Sequence, residues 1–314
     1  MDVVVLGSLN MDLVAQVSRL PKPGETILGD RFTTMPGGKG ANQAVAAARL
    51  GARTTMMGRV GGDSFGKTLC EGLAADEIDV SAISVSDRTP SGTALIAVAP
   101  QDNQIIVVPG ANGEVGQDAL MALARCVQEP RVLLLQFEIP LAVVEEAAAI
   151  AWAAGLTVVV DPAPASAPLS DKFCEHISIL TPNQTEAGLL TGLEVVDVES
   201  AIAAAQILHQ QGVQTVIVKL GELGSVCVTA EGSFSTPAFS VKATDTVAAG
   251  DAFNGGLAAA LCRLDVAENG EYSHDALKDA VAYASAVSAI AVTRSGAQPS
   301  MPTKSEVEAF LLTQ

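Results

Sequence analysis

Asp245-Thr246-Val247-Ala248-Ala249-Gly250-Asp251-Ala252-Phe253-Asn254-Gly255-Gly256 reads as a turn of small residues that opens a helix. Such a start leaves backbone N–H groups without intrahelical partners, at the positive end of the helix dipole. Ala248, Ala249 and Gly250 carry almost no side chain to keep an anion away. Asp251 then sets a carboxylate beside that anion pocket, where it would repel a phosphate. A base that deprotonates an alcohol while the amides hold a phosphoryl group resolves the conflict. The turn therefore predicts phosphoryl transfer to a hydroxyl, with a simple helix N-cap as the plain alternative role for Asp251.

Working outward, short Val/Ile/Leu runs alternate with Ala-rich helical stretches. Strands are predicted at Val3–Leu6, Leu13–Val17, Thr26–Phe32, Thr54–Val60, Thr93–Val98 and Gln104–Val108. More follow at Val132–Phe137, Leu156–Val160, Ile177–Leu180, Thr215–Lys219, Val226–Val228 and Phe234–Phe239. Between them lie helices, among them Ala41–Leu50, Leu141–Ala154, Glu199–Gln211, Asp251–Cys262 and His274–Val292. This rhythm predicts an α/β fold, with a mostly parallel central sheet flanked by helices on both faces. The early hairpins, including one turning at Gln101-Asp102-Asn103, break the rhythm and predict a small β-sheet lid. The 314 residues, 49% of them hydrophobic, suit one unit over 1–314, with lid segments at about 12–36 and 92–108.

Net charge is −17, and no Lys/Arg-rich run is visible, which disfavours a nucleic-acid or anionic-membrane partner. Phosphorylated ligands must then be held by local amides, metal ions or a few cations. The five cysteines are odd in number and never form a Cys-x-x-Cys pair, which fits a reducing, cytoplasmic setting. No signal-peptide pattern or apolar run of bilayer length is visible. His176, His209 and His274 sit in polar contexts and are expected at the surface.

A rival motif lies at Gly61-Gly62-Asp63-Ser64-Phe65-Gly66-Lys67-Thr68, which satisfies the Walker A pattern between a strand and a helix. A phosphate-wrapping loop would place the Asp63 carboxylate inside its own anion site. Asp63 is better used as the N-cap of a helix through Ala75.

Gly37-Gly38-Lys39-Gly40-Ala41-Asn42 and Asp245-Thr246-x-Ala248-Ala249-Gly250-Asp251 together resemble the two signatures of the ribokinase-like (PfkB) sugar kinases. Asn10-Met11-Asp12, Thr181-Pro182-Asn183-Gln184-Thr185-Glu186 and Thr293-Arg294-Ser295-Gly296-Ala297-Gln298-Pro299-Ser300 extend the resemblance over essentially the whole chain. Gly61–Gly66 also resembles a recurring structural turn of that family.

The resemblance implies a ribokinase-like fold and ATP-dependent phosphorylation of D-ribose at its 5-hydroxyl. It makes Asp251 the base, with the amides of Ala248, Ala249 and Gly250 stabilising the transferring phosphoryl. Asn10, Met11 and Asp12 follow the first strand, where open α/β sheets place ligands. An amide and a carboxylate there can grip vicinal hydroxyls, or simply form a turn. Gly38, Lys39, Gly40, Ala41 and Asn42 would complete the sugar site, with Lys39 touching either sugar or phosphate. Glu138 is implied as a further sugar contact, against a plain loop acid.

On the nucleotide side, Asn183 and Glu186 match the family's Asn-x-x-Glu motif, tied to Mg2+ and the ATP phosphates through water. A helix-capping pair is the alternative. Lys219-Leu220-Gly221-Glu222-Leu223-Gly224 resembles the nucleotide-contacting turn, with Lys219 where some relatives have Thr. Ser285 matches an adenine-side position. Asp245, Thr246, Ala291, Arg294, Gly296 and Ser300 match a monovalent-cation site suited to K+. The resemblance further implies a homodimer through lid strands. Another sugar or a nucleoside as substrate (2-deoxyribose, fructose), or a non-catalytic sensor, are the competing expectations.

Overall fold

The computed structural model of the chain describes residues 1–100, 102–128, 131–265 and 272–314. In chain order it begins with β1 (Val3–Leu6), β2 (Asn10–Gln16), β3 (Arg31–Gly37), α1 (Lys39–Arg49), β4 (Thr54–Gly61), α2 (Ser64–Ala75), β5 (Asp79–Ser86), β6 (Gly92–Ala99) and β7 (Asp102–Val108). Next come α3 (Gln117–Cys126), β8 (Val132–Gln136), α4 (Leu141–Ala153), β9 (Thr157–Asp161), α5 (Asp171–Cys174), β10 (Ile179–Leu180), α6 (Gln184–Thr191), α7 (Val198–Gln210) and β11 (Thr215–Lys219). The order ends with β12 (Ser225–Thr229), β13 (Gly232–Thr236), α8 (Ala249–Leu261), α9 (His274–Ala291) and α10 (Lys304–Leu311).

Nine strands form one sheet in the order β13-β12-β11-β10-β9-β8-β1-β4-β5. It is parallel from β11 to β5, and β12 and β13 add antiparallel at one edge. Buried parallel strands must be apolar on both faces, and β1 shows why. Val3 and Val5 enter one apolar layer with α1, α8 and α9, while Val4 and Leu6 enter the other with α4 and α7. Each such fully buried side chain contributes about 1.5–3 kcal/mol relative to exposure.

The second sheet has four strands in the order β3-β2-β6-β7, with β2 and β6 parallel and the outer pairs antiparallel. The strand expected at Thr26–Phe32 instead runs over Arg31–Gly37. Pro36 disguises it, because a proline donates nothing to a ladder; an edge strand tolerates that loss. Asn10-Met11-Asp12 is likewise not a loop but the start of β2, paired with Gly37, Pro36 and Met35. The β6–β7 hairpin forms as expected, although Gln101 of its turn lies outside the described residues. The half-exposed β5, rich in small polar residues, carried too little apolar signal to be read as a strand. The histidines are half-buried rather than on the surface; His274 packs edge-on to Phe234 and His209 bonds the Val213 carbonyl. No helix among the described residues is long and apolar enough to cross a membrane.

Two small-residue helices bring the sequence signatures together. A Cβ on Gly255 of α8 would come within 2.7 Å of the Gln43 carbonyl of α1, so only glycine permits this approach. The contact sets the first turn of α1 beside the first turn of α8, at the carboxyl ends of β8 and β9.

Candidate active site

Asp251 sits in the first turn of α8 and is 4% exposed. Its Oδ2 accepts from Asn42 Nδ2 at 2.9 Å and its Oδ1 from Gln43 Nε2 at 3.1 Å. Burial raises the Asp251 pKa, and Asp161 adds to the rise; Lys39 and the two amide hydrogen bonds oppose it. A carboxylate destabilised by burial yet aimed by hydrogen bonds is suited to take a proton from an alcohol.

The turn before α8 is strained. Ala248 adopts the left-handed region at φ 59°, which disfavours any residue with a Cβ. Such strain persists where surrounding structure imposes it, often at ligand sites. Among the described residues, no protein acceptor meets the N–H groups of Ala248, Gly250 and Asp251. The Ala249 N–H differs, since it donates to the Thr246 carbonyl at 3.3 Å. The open amides at this helix start are therefore those of Ala248, Gly250 and Asp251, with Ala249 engaged within the turn.

The side expected to hold a sugar is built from β2, the N-terminus of α1 and the residue after Phe137. Gly38, the α1 N-cap, has φ 88°, and a Cβ there would lie 2.7 Å from the Asn10 backbone nitrogen. Glu138 accepts from Ser8 Oγ at 2.5 Å and from the Lys39 backbone N–H at 3.1 Å, so it braces this turn. Asn10 is buried and its Oδ1 accepts from Asn112 Nδ2 at 2.8 Å. Asn112 also clamps the Leu9 backbone through both its amide atoms. Asp12 has its pKa raised to about 7 by burial and by repulsion from Glu138 and Asp251. Burial opposes the Lys39 charge, but Asp251, Asp161, Glu138 and Glu186 together hold its pKa above the ordinary lysine range. Asn42 Oδ1 is buried and finds no donor among the described residues, which suits a hydroxyl of a bound ligand. The Met11 and Ala41 side chains lie in the core, so these two can offer a ligand only backbone.

The side expected to hold a nucleotide gathers around Lys219 at the end of β11. Its Nζ pairs with Asp161 Oδ1 at 3.1 Å. Asn183 and Glu186 do form a capping box on α6: Asn183 Oδ1 accepts the Glu186 N–H and Glu186 Oε2 accepts the Asn183 N–H. Burial and Asp161 nevertheless raise the Glu186 pKa, which places its charge within the same electrostatic cluster. Leu220 is buried, whereas Gly221, Glu222 and Leu223 form an exposed helical turn closed by Gly224, whose carbonyl accepts from the Leu220 N–H. Ser285 spends its hydroxyl on the Val281 carbonyl, and no hydrogen bond among the described residues joins it to the site.

Asp245 ties the anion turn to the segment after α9. Its Oδ1 accepts from the Val247 N–H and its Oδ2 from the Gly296 N–H. The Arg294 N–H donates to the Ala291 carbonyl, its guanidinium pairs with Glu306, and Ser300 Oγ donates to the Ala297 carbonyl. Thr246 and Ala291 carbonyls, the Ser300 hydroxyl and the Asp245 carboxylate thus belong to one joined pair of segments.

Five residues at the site were not read from the sequence: Gln43, Gln136, Asn112, Asp161 and Ser288, whose Oγ donates to the Ala249 carbonyl. Gln136 and Asp161 end adjacent apolar strands in register. A polar residue closing an apolar strand was the signal available for both.

The pfkB family carbohydrate kinase pattern matches residues 1–304, and the chain belongs to this family. It is 43% identical to the ribokinase of Haemophilus influenzae over 98% of this chain and 97% of that one. The structure of Arabidopsis thaliana ribokinase complexed with ribose and ATP matches at TM-score 0.87 and 32% identity, covering 99% of this chain and 98% of that one. A deoxyribokinase of Salmonella typhi is 34% identical over 99% of both chains.

Proposed function

We propose that the chain transfers the γ-phosphoryl of ATP to the 5-hydroxyl of D-ribose, giving D-ribose 5-phosphate and ADP. The carrying observation is the buried Asp251 carboxylate one turn from open N–H groups at a strained helix start. Asp251 accepts the hydroxyl proton as the oxygen attacks phosphorus, and the amides of the α8 start hold the phosphoryl oxygens. Asn10, Asp12, Asn42 and the Gly38 turn hold the sugar, and Glu138 braces that turn. The small sheet closes over the sugar and excludes water, which limits ATP hydrolysis. A non-catalytic sensor would have no need of a base and its aiming amides.

The donor set suits Mg2+. Among the described residues, no group of three His, Cys, Asp or Glu forms a metal cage. Magnesium fits such a place because it relies on phosphates and water with one or two carboxylates. Glu186 keeps Oε1 outside its capping box for this purpose, and the ion would neutralise phosphate charge. The Asp245–Ser300 segments offer the oxygen-only set that K+ prefers, and an ion there would stiffen the anion turn. Exposed apolar residues on β7 fit a homodimer through the small sheet. Free cysteines suit a cytoplasmic setting.

A coupled ADP-release assay over ribose, 2-deoxyribose, fructose and adenosine tests this. Ribose is expected to show the highest kcat/KM, with K+ activating well above Na+. Preference for 2-deoxyribose would move the chain to the deoxyribokinase side, and ADP formation without sugar dependence would overturn the reading.

A further inference from the structure

The proposed transfer leaves several buried polar groups unexplained. Gln43 and Gln136 are fully buried and Asp161 nearly so. Buried polar atoms are costly unless paired, and a half-satisfied network is costlier than an apolar one. Here the pairing is tight around Gln43, while Gln136 Oε1 has no partner among the described residues. Gln43 Nε2 donates both to Asp161 Oδ2 at 3.0 Å and to Asp251 Oδ1 at 3.1 Å. Gln43 Oε1 accepts from Gln136 Nε2 at 2.7 Å. Both Gln43 amide hydrogens and its carbonyl are thus engaged, which locks its side chain. Asp161 uses its other oxygen to hold Lys219 Nζ. That ammonium stands at the anion turn: a Cβ on Gly250 would lie 3.3 Å from it. The links Lys219, Asp161, Gln43 and Asp251 therefore form an open ring, its Lys219 end lying beside Gly250, the neighbour of Asp251.

The ring answers an electrostatic problem. Asp12, Glu138, Asp161, Glu186 and Asp251 crowd one cleft, and Lys39 lies on the sugar side. A phosphoryl arriving at α8 meets carboxylates unless a cation stands there too. We propose that Gln43 and Asp161 are positioning residues for the transfer: Gln43 aims the Asp251 carboxylate, and Asp161 holds the Lys219 ammonium against the first turn of α8. One buried amide then sets both the base and the donor-side cation. This rests on the sugar-kinase reading above.

The test uses the full-length enzyme with the sugar it turns over best, after thermal melting has shown each variant folded. Gln43→Leu removes the shared donor and should lower kcat about tenfold or more while both KM values stay within about threefold. If its fold fails, Gln43→Leu with Gln136→Leu removes the orphaned amide as well. Asp161→Asn keeps shape and an acceptor for Gln43 but loses the ion pair. It should raise the ATP KM about fivefold or more, with the sugar KM within about twofold. Combining Asp161→Asn with Lys219→Met should add little to either alone, because the pair acts as a unit.

Folded variants with kcat and ATP KM within about twofold of the parent would overturn the proposal. So would a common shift of kcat and both KM values in step with lost stability, which marks a merely structural role. A parent that releases no ADP with any sugar defeats the sugar-kinase reading instead. Calorimetric ATP binding by Asp161→Asn then still decides the Asp161 half, and unchanged affinity overturns it.

Discussion

At the carboxyl edge of the nine-stranded sheet, Gln43, Gln136, Asp161 and Asp251 are polar and buried. Along β7 of the small sheet, Ile105, Ile106, Val107 and Val108 are apolar and exposed. Each region inverts the usual rule, and each inversion has its own meaning. Buried polar groups are costly unless paired, and Gln43, Asp161 and Asp251 are paired here while Gln136 Oε1 has no partner among the described residues, so the first region is largely locked and suited to aimed chemistry. An apolar strand exposed along its length, at a sheet edge with unpaired backbone groups, calls for a cover. The molecule thus combines a largely paired buried edge with an uncovered apolar strand.

The sharpest way to break the first half is Asp251→Asn. We expect kcat to fall about a thousandfold, the range that positioned general bases supply. Stability should move the other way. Burial raises the folded pKa of Asp251 above its unfolded value, so its contribution is present at low pH and lost as pH rises through the folded pKa. At pH 8 the variant should melt at or above the parent. Turnover near the parental rate would remove Asp251 from the chemistry.

Asp12 gives the next largest effect. Its pKa of about 7 leaves it mostly protonated at pH 6 and mostly ionised at pH 8. If the ionised form grips the sugar, the ribose KM should rise about tenfold from pH 8 to pH 6, following the ionised fraction. A raised carboxylate pKa stabilises below the unfolded pKa and loses that contribution as pH passes the folded one. The sugar-free protein should therefore melt lower at pH 8 than at pH 6, and Asp12→Asn should flatten both trends. A ribose KM independent of pH would show that Asp12 does not hold the sugar as a carboxylate.

These two residues also show what could be read from the chain. Asp251 and the small residues before it stand out in the sequence, because a helix start with no side chains is a local feature. Asp12 was read as a sugar-gripping candidate but misplaced as structure. Asn10–Asp12 reads as a turn, yet pairing with β3 and β6 makes it a strand, and such pairing depends on residues far along the chain. The main-sheet strands were visible because two-sided burial writes continuous apolar runs. Gln43 was not, because a glutamine on an Ala-rich helix looks like a solvated residue until β8, β9 and α8 converge on it. Asn112 was hidden for the same reason, its partners lying about a hundred positions away.

The second half of the comparison is tested at Ile106. It faces Leu95, which faces Leu13, in one cross-strand row. Ile106→Asp would place a charge in a face that a second copy must desolvate. We expect light scattering to show the mass of one chain for the variant and of two for the parent. Loss of kcat should be modest compared with Asp251→Asn. Equal masses would mean that β7 is covered by something else or by nothing.

The smallest expected effect belongs to Lys67, in the stretch that imitates a phosphate loop. Asp63 Oδ1 accepts the Gly66 N–H at 2.8 Å and the Ser91 hydroxyl, and Oδ2 accepts the Ser91 N–H. The carboxylate therefore fills the place where a phosphate would have to lie. Although burial pushes upward, these donors hold the Asp63 pKa below its ordinary value, so it stays charged and anion-repelling at neutral pH. The Lys67 side chain is 75% exposed and sits 3.8 Å from Glu71 one turn along α2. A phosphate-loop lysine must point into the loop, whereas this one points along a helix surface toward an acid. Lys67→Ala should leave kcat and the ATP KM within about twofold of the parent, as expected of an exposed i,i+4 pair. A tenfold rise in ATP KM would place a second nucleotide contact here and move part of the donor chemistry out of the buried edge.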